Sequence, residues 1–442
     1  MYLGAFEWRI EFPEVLDDEG NFIGFDCIIG NPPYIQLQSM GHDSETLGRM
    51  GYQSYERTGD IYCLFYELGM NLLKPDCLLS FITSNKWMRA GYGKALRHYF
   101  VEQTNPIQLI DFAGTRIFDS ATVDVNILML TKQANAFETR SCSIKKDGFE
   151  INKLSDYFLQ NSSICSFKSS DSWVVLSPIE LSIKQKIEAI GTPLKDWDIQ
   201  INYGIKTGFN EAFIIDGEKR AELIAADPKC AEIIRPILRG RDIKRYTYEF
   251  ADLYIIATFP AKHYNIDDYP AIKAHLLSYG IERLEQTGKE YTINGEKIKA
   301  RKKTNNQWFE TQDSISYWDD FNKQKIVWIE LTDHPNFALD EKGYFINNTV
   351  FFMTGKNLKY ILAFLNSKLC EWYFDKICAT SGVGTRRWIK MYIDKIRLPL
   401  LTDAQMSDIS KYVDSYNGTD IDSAFYKIFS FGQDEIKVIE GN

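Results

Sequence analysis

FDCIIGNPPYIQ, residues 25–36, decides how the first part of the chain is read. An apolar run ends on Gly30, and an amide, two prolines and an aromatic follow as Asn31, Pro32, Pro33 and Tyr34. A short apolar run reads as a buried strand of an α/β sheet, and in open sheets of that kind ligands sit beyond the carboxyl ends of the strands. The prolines stiffen the turn and lack N–H donors, so the Pro32 carbonyl is left to accept a hydrogen bond beside the side-chain oxygen of Asn31. Two converging acceptors suit an NH2 group, and the Tyr34 ring offers a flat face to a heterocycle. The stretch predicts a strand end that holds an exocyclic amine.

Working outward, strands are expected at residues 23–30, 78–83, 107–112 and 123–131, and helices at 60–73 and 91–102, where apolar residues recur at helical spacing. Alternating strands and helices indicate an α/β sheet, with the last two strands expected as an antiparallel pair at its edge. From about residue 166 the texture changes to short mixed segments with scattered glycines and aromatics, which fits a separate α+β domain. The division expected is 1–165, 166–400 and a polar helical tail at 401–442.

Composition bounds the function. The chain has 442 residues, 45% of them hydrophobic, enough to bury a large core in two domains. No apolar run approaches the roughly 20 residues that span a bilayer, and the N-terminal residues lack a signal-peptide order, so no membrane role and a cytoplasmic location are expected. The eight cysteines include no C-x-x-C pair and the five histidines do not cluster, so no metal site is expected. A net charge of −9 means that any nucleic-acid binding must be local.

Asn31-Pro32-Pro33-Tyr34 resembles the catalytic motif of amino-methyltransferases, above all the DNA adenine-N6 type. Phe6-Glu7-Trp8 and Glu11-Phe12-Pro13-Glu14-Val15 before it, and Gly59-Asp60-Ile61-Tyr62 and Leu78-Leu79-Ser80-Phe81-Ile82-Thr83 after it, are similar to the large restriction-modification and phage-exclusion methyltransferases. The resemblance implies a partial Rossmann-like methyltransferase sheet. It also implies that Asn31 and Pro32 hold the adenine N6 amine and that Tyr34 stacks on a base flipped out of double-stranded DNA. Ile117-Phe118-Asp119 is similar to the loop that, in TaqI-like relatives, packs a Phe on the opposite face, which makes Phe118 a second base-stacking candidate.

The same family binds S-adenosylmethionine through an earlier half, with a Gly-containing loop after its first strand. Only 30 residues precede Asn31, too few for about three strand–helix units. The expectation is therefore a carboxyl-terminal portion or split subunit whose main cofactor-binding half lies elsewhere, with an uncovered sheet edge that demands a partner. Gly91, Gly93, Gly382 and Gly384 read as ordinary loop glycines.

Two segments are locally basic. Residues 283–303 carry seven Lys/Arg against three Glu, and 383–397 carry five against one Asp. The second contains Ser381-Gly382-Val383-Gly384-Thr385-Arg386-Arg387, flexible backbone with paired guanidiniums, so Arg386, Arg387 and Lys390 are candidate DNA contacts. Residues 203–210 and 235–242 are similar to the TaqI-like carboxyl-terminal specificity domain. They add Lys206, Thr207, Asn210, Arg239 and Arg241 as candidate contacts, against turn chemistry and intradomain salt bridges as the alternative. Asp434-Glu435-Ile436-Lys437 is the best local match to a nuclease and reads as a solvated tail. Two further functions stay open at this point: a non-catalytic recognition subunit that docks a partner methyltransferase or nuclease, and methylation of protein glutamine or RNA.

Overall fold

The computed structural model describes residues 6, 8–112, 115, 117–118, 123–144, 150–293, 295–378 and 386–441. The described residues divide into two compact units, one within Met1–Lys186, Asp375–Gly384 and Gly432–Asn442 and the other within Ile187–Phe374 and Thr385–Phe431.

The first unit is built on a six-stranded sheet: β1 Phe25–Gly30, β2 Leu73–Ser84, β3 Asn105–Asp111, β4 Val125–Thr131, β5 Thr139–Ser143 and β6 Ser163–Cys165, in the order β1-β2-β4-β3-β5-β6. β1 runs parallel to β2, β3 parallel to β5, and β4 is antiparallel to both of its neighbours. The expected antiparallel pairing of β3 and β4 is present, but it lies inside the sheet rather than at its edge. β5 (Thr139-Arg140-Ser141-Cys142-Ser143) extends the sheet on one side without the apolar run that announces a strand. β2 also starts earlier than the apolar pattern does, at Leu73 and through Lys74-Pro75-Asp76.

Helices α1, Tyr62–Leu72, and α2, Gly93–Gln103, bury Tyr62, Tyr66, Met70, Leu96 and Phe100 against Leu79, Phe81, Leu128 and Leu130 of the sheet. Gly24 sets the entry to β1. Its φ is +95°, and a Cβ there would lie 2.8 Å from the backbone oxygen of Leu72, so only glycine lets the chain pass the junction of α1 and β2. Among the described residues β1 pairs only with β2, and Ile29 in it is 77% exposed. β1 is thus one edge strand of this sheet and β6 the other.

The second unit holds two four-stranded sheets and smaller ribbons. In one sheet Phe337–Asp340, Lys325–Ile329, Val350–Gly355 and Ile199–Tyr203 are all antiparallel neighbours. Lys325 and Asp340 form an ion pair with both side chains fully buried, 2.5 Å apart, and the Asp340 carboxylate also accepts the backbone N–H groups of Lys342 and Tyr344. The carboxyl-terminal region forms helices Asp403–Asp414, Gly418–Ile428 and Gln433–Glu440. Glu435 is buried rather than solvated: it accepts from Ser182 at 2.8 Å, Lys186 at 2.6 Å and the Gly432 N–H at 2.8 Å. That carboxylate fastens its helix within the first unit, to which Gly432–Asn442 belongs, and is not free for catalysis.

Candidate active site

β1 ends at Gly30, and Asn31 begins the loop at the end that the parallel strands share. Asn31 is exposed and Pro32 is buried. Among the described residues neither the Asn31 side chain nor the Pro32 carbonyl has a hydrogen-bond partner, so both acceptors face no protein donor. The loop that follows is tied back to the start of α1 by Leu37 N–H donating to Gly59 O and Ile61 N–H donating to Ile35 O, both at 2.8 Å. Its far side is held by the buried Glu67 carboxylate, which accepts from Gln53 N–H at 3.0 Å and from Ser54 N–H and Oγ at 2.8 and 2.7 Å. A carboxylate taken out of water needs such donors, and here they fix the loop.

Tyr34 is half-buried. Its hydroxyl donates to the Ile82 carbonyl of β2 at 3.3 Å, and its ring meets Tyr62 edge-on, 5.9 Å between centroids at 81°. Burial pushes the Tyr34 phenol above its ordinary value, so it stays a neutral donor. Behind it Tyr62 and Tyr92 share a hydrogen bond of 2.9 Å, and Tyr92 donates to Asp60 at 3.2 Å. The sequence reading passed over this supporting chain. Its signal was the Asp60-Ile61-Tyr62 run and the Tyr between Gly91 and Gly93. Phe118 packs, with Ile117 and Val123, on the cluster of Ile110, Phe112, Val125, Cys142, Ile144 and Phe158, and Tyr34 packs on that same cluster. The two rings singled out for base stacking thus reach one patch of the first unit; Asp119, quoted with Phe118, lies outside the described residues.

A cavity of about 340 Å³ opens in the loop after the motif, lined in part by Gln38, Ser44, Glu45, Arg49, Tyr55 and Arg57. Arg49 and Arg57 are exposed there and have no carboxylate partner among the described residues. No group of three or more metal-ligating side chains occurs among the described residues, and no helix among them is long and apolar enough to cross a membrane.

In the second unit the candidate contacts separate into two groups. Thr207 is 1% exposed and donates its hydroxyl to Asn210 at 2.6 Å, so it shapes the turn. Arg239 holds Asp242 through two side-chain bonds of 3.0 and 2.8 Å. Arg386 pairs with Glu371 at 3.1 Å, Arg387 with Glu330 at 2.6 Å and Lys390 with Asp394 at 2.9 Å. For these residues the intradomain reading describes the geometry, and residues 381–385, quoted with Arg386, lie outside the described residues. Lys206, Asn210 and Arg241 are exposed, and the cationic groups of Lys206 and Arg241 have no ion-pair partner among the described residues.

Residues 2–118 match the Eco57I restriction-modification methylase family, and residues 235–400 match the TaqI-like C-terminal specificity domain. The chain carries an Eco57I-type methylase segment and a TaqI-like specificity domain. The first match contains Asn31 to Tyr34 and ends at Phe118; the second begins at Arg235 and leaves residues 203–210 ahead of it. The chain is similar to the type II methyltransferase M.BstVI of Geobacillus stearothermophilus, 21% identical over 98% of this chain and 79% of that protein. It is also similar to M.PaeR7I of Pseudomonas aeruginosa, 19% identical over 95% of this chain and 72% of that one. The type II restriction enzyme and methyltransferase RM.Eco57I of Escherichia coli is 23% identical over 79% of this chain, which spans 38% of that longer protein. In fold the chain is similar to the Type IIL restriction-modification enzyme MmeI, solved in complex with DNA, with a TM-score of 0.54 at 11% identity over 93% of this chain and 55% of that one.

Proposed function

We propose that this chain is the amine-holding and target-reading part of a site-specific DNA adenine-N6 methyltransferase in a restriction-modification or phage-defence system, working in the cytoplasm on double-stranded DNA. One observation carries the reading: among the described residues the Asn31 side chain and the Pro32 carbonyl stand without protein donors at a strand end, beside an anchored tyrosine ring. A flipped adenine would give its two N6 hydrogens to Asn31 Oδ1 and Pro32 O. Those bonds draw the amine out of conjugation with the ring and aim its lone pair, so catalysis comes from placement and polarisation rather than from a dedicated base. Tyr34 and Phe118 supply the surfaces that keep the extruded base from returning to the stack. Arg49 and Arg57 would meet phosphates of the strand that carries it.

S-adenosylmethionine is the methyl donor that this reading implies. The described residues do not fit a complete site for it. Among the described residues β1 pairs only with β2, and Gly93 is packed so closely that a Cβ would lie 2.0 Å from the Trp87 carbonyl. The open β1 edge, with Ile29 exposed, supports completion of the sheet by further strands, from the same or a separate polypeptide, that would hold the donor. Asn31→Ala tests the assignment: it should abolish methyl transfer by the completed enzyme while leaving duplex binding within about twofold. Undiminished transfer would remove Asn31 from the site.

A further inference from the structure

The basic segment found in the sequence folds into a separate two-stranded ribbon of the second unit. Glu290–Ile293 pairs antiparallel with Glu296–Lys299, with Thr292 opposite Lys297 and Glu290 opposite Lys299. One face carries Glu290, Thr292, Lys297 and Lys299, all exposed; the other carries Tyr291, Ile293 and Ile298, all half-buried, and exposed Glu296. Lys289 precedes the ribbon, and Lys302 and Lys303 follow it, all exposed. None of these five lysines has an ion-pair partner within 4.0 Å among the described residues, although Glu290 and Glu296 lie on the same ribbon. The cluster stands out in a chain whose net charge is −9.

The foot of the ribbon is fixed. Arg301, 4% exposed, donates to four carbonyls, those of Leu284, Thr207, Glu310 and Trp308, at 2.6–2.8 Å. Gln286, 5% exposed, donates to the carbonyls of Gln307 and Glu310 at 3.1 Å. Arg301 also ties the ribbon to the Thr207 turn, where Lys206 and Asn210 are exposed. The fixed foot holds the exposed cations in a set orientation, so less flexibility is lost when a partner binds.

We propose that this ribbon enters the major groove of duplex DNA, with Lys297, Lys299 and Thr292 on the inserted face and Lys289, Lys302 and Lys303 on the flanking phosphates. The inference rests on the reading of the chain as a DNA-directed enzyme and names the element that grips its substrate. The major groove, about 12 Å wide, admits a two-stranded ribbon as it stands, whereas the minor groove, about 6 Å wide, takes one only when the duplex is bent and widened. Phosphate contacts would orient the unit, and Thr292, Lys297 and Lys299 would face base edges.

The test uses the full chain and a fluorescent duplex of about 30 base pairs, with affinity followed against salt concentration. Lys297→Ala with Lys299→Ala should weaken binding at least tenfold at moderate salt. Each lysine that neutralises a phosphate should lower the slope of log affinity against log salt by about 0.9. Adding Lys289→Ala, Lys302→Ala and Lys303→Ala should lower the slope further, and the five Lys→Arg replacements should restore it. Duplex whose cytosines carry glucosylated hydroxymethyl groups, which fill the major groove, should bind the wild type at least tenfold more weakly, whereas netropsin in the minor groove should leave binding unchanged. Affinity and slope unmoved by the alanine changes would overturn the proposal, as would displacement by netropsin, by polyglutamate or by structured RNA at equal charge concentration. The methylation readout of Asn31→Ala is separate, so a ribbon that fails leaves the amine site to stand or fall on its own.

Discussion

If the Tyr34 ring is the working part and its hydroxyl only the anchor, removing each should have different consequences. Tyr34→Phe keeps the ring and deletes one half-buried hydrogen bond to the Ile82 carbonyl, 3.3 Å long and so towards the weak end. Such a bond contributes about 0.5–1 kcal/mol, which for a unit of this size lowers the melting temperature by roughly 1–4 °C. Methyl transfer should stay within about threefold of wild type, because the edge contact with Tyr62 still orients the ring. Tyr34→Ala removes the stacking surface, worth about 1–3 kcal/mol for a base, or roughly 5–150-fold in binding of the extruded nucleotide. The assay is the fluorescence of 2-aminopurine at the target position, which rises on flipping, read beside methyl transfer and thermal denaturation of the same variants. If Tyr34→Phe abolished transfer as fully as Tyr34→Ala, the hydroxyl would be acting on substrate and the stacking argument would be refuted.

Three further outcomes follow from the geometry. Lys325→Met strands the buried Asp340 carboxylate and should destabilise the second unit by about 3–5 kcal/mol in denaturant titrations, with much of the loss recovered when Asp340→Leu is added. Burial raises the Glu435 carboxyl, but the bonds from Lys186, Gly432 and Ser182 outweigh it and hold the group below its ordinary value. Its contribution is therefore present above the unfolded carboxyl value and lost as pH falls through the folded one. Hydrogen exchange in helix Gln433–Glu440 should quicken selectively in acid, and Glu435→Gln should flatten that dependence. Arg386→Ala with Arg387→Ala should change the salt slope of DNA binding by less than about 0.5, because Glu371 and Glu330 already occupy those guanidiniums; a loss near 1.8, the value for two released phosphate contacts, would return them to the DNA surface.

The first strand, both helices and the Asn31–Tyr34 turn at the strand end were legible because each depends on local pattern: an apolar run, helical spacing, a Pro-Pro turn. The place of β4 between β2 and β3 was not, since it is decided by pairing between segments distant in the chain. β5 was invisible because Cys142 is the only apolar residue in Thr139–Ser143, and its burial comes from the layers around it. Arg386 and Arg387 illustrate the limit of charge counting. The sequence displays two adjacent cations and cannot display that Glu371 and Glu330 fold against them. The basic ribbon was half legible. Its charge was counted, but Asn294-Gly295, a strong hairpin signal between two short strands, went unread as structure. Glu435 inverts the expectation for an acidic tail, because Lys186 and Ser182 lie far from it in the chain.

The proposed site turns on one amine and the two oxygens, Asn31 Oδ1 and the Pro32 carbonyl, that would receive it. Mass spectrometry of nucleosides from DNA modified by the completed enzyme, in a host without its own adenine methylation, tests it most directly. N6-methyladenine is expected, and none of it when Asn31 is replaced by alanine. N4-methylcytosine in its place, or N6-methyladenine undiminished in the Asn31→Ala strain, would contradict it.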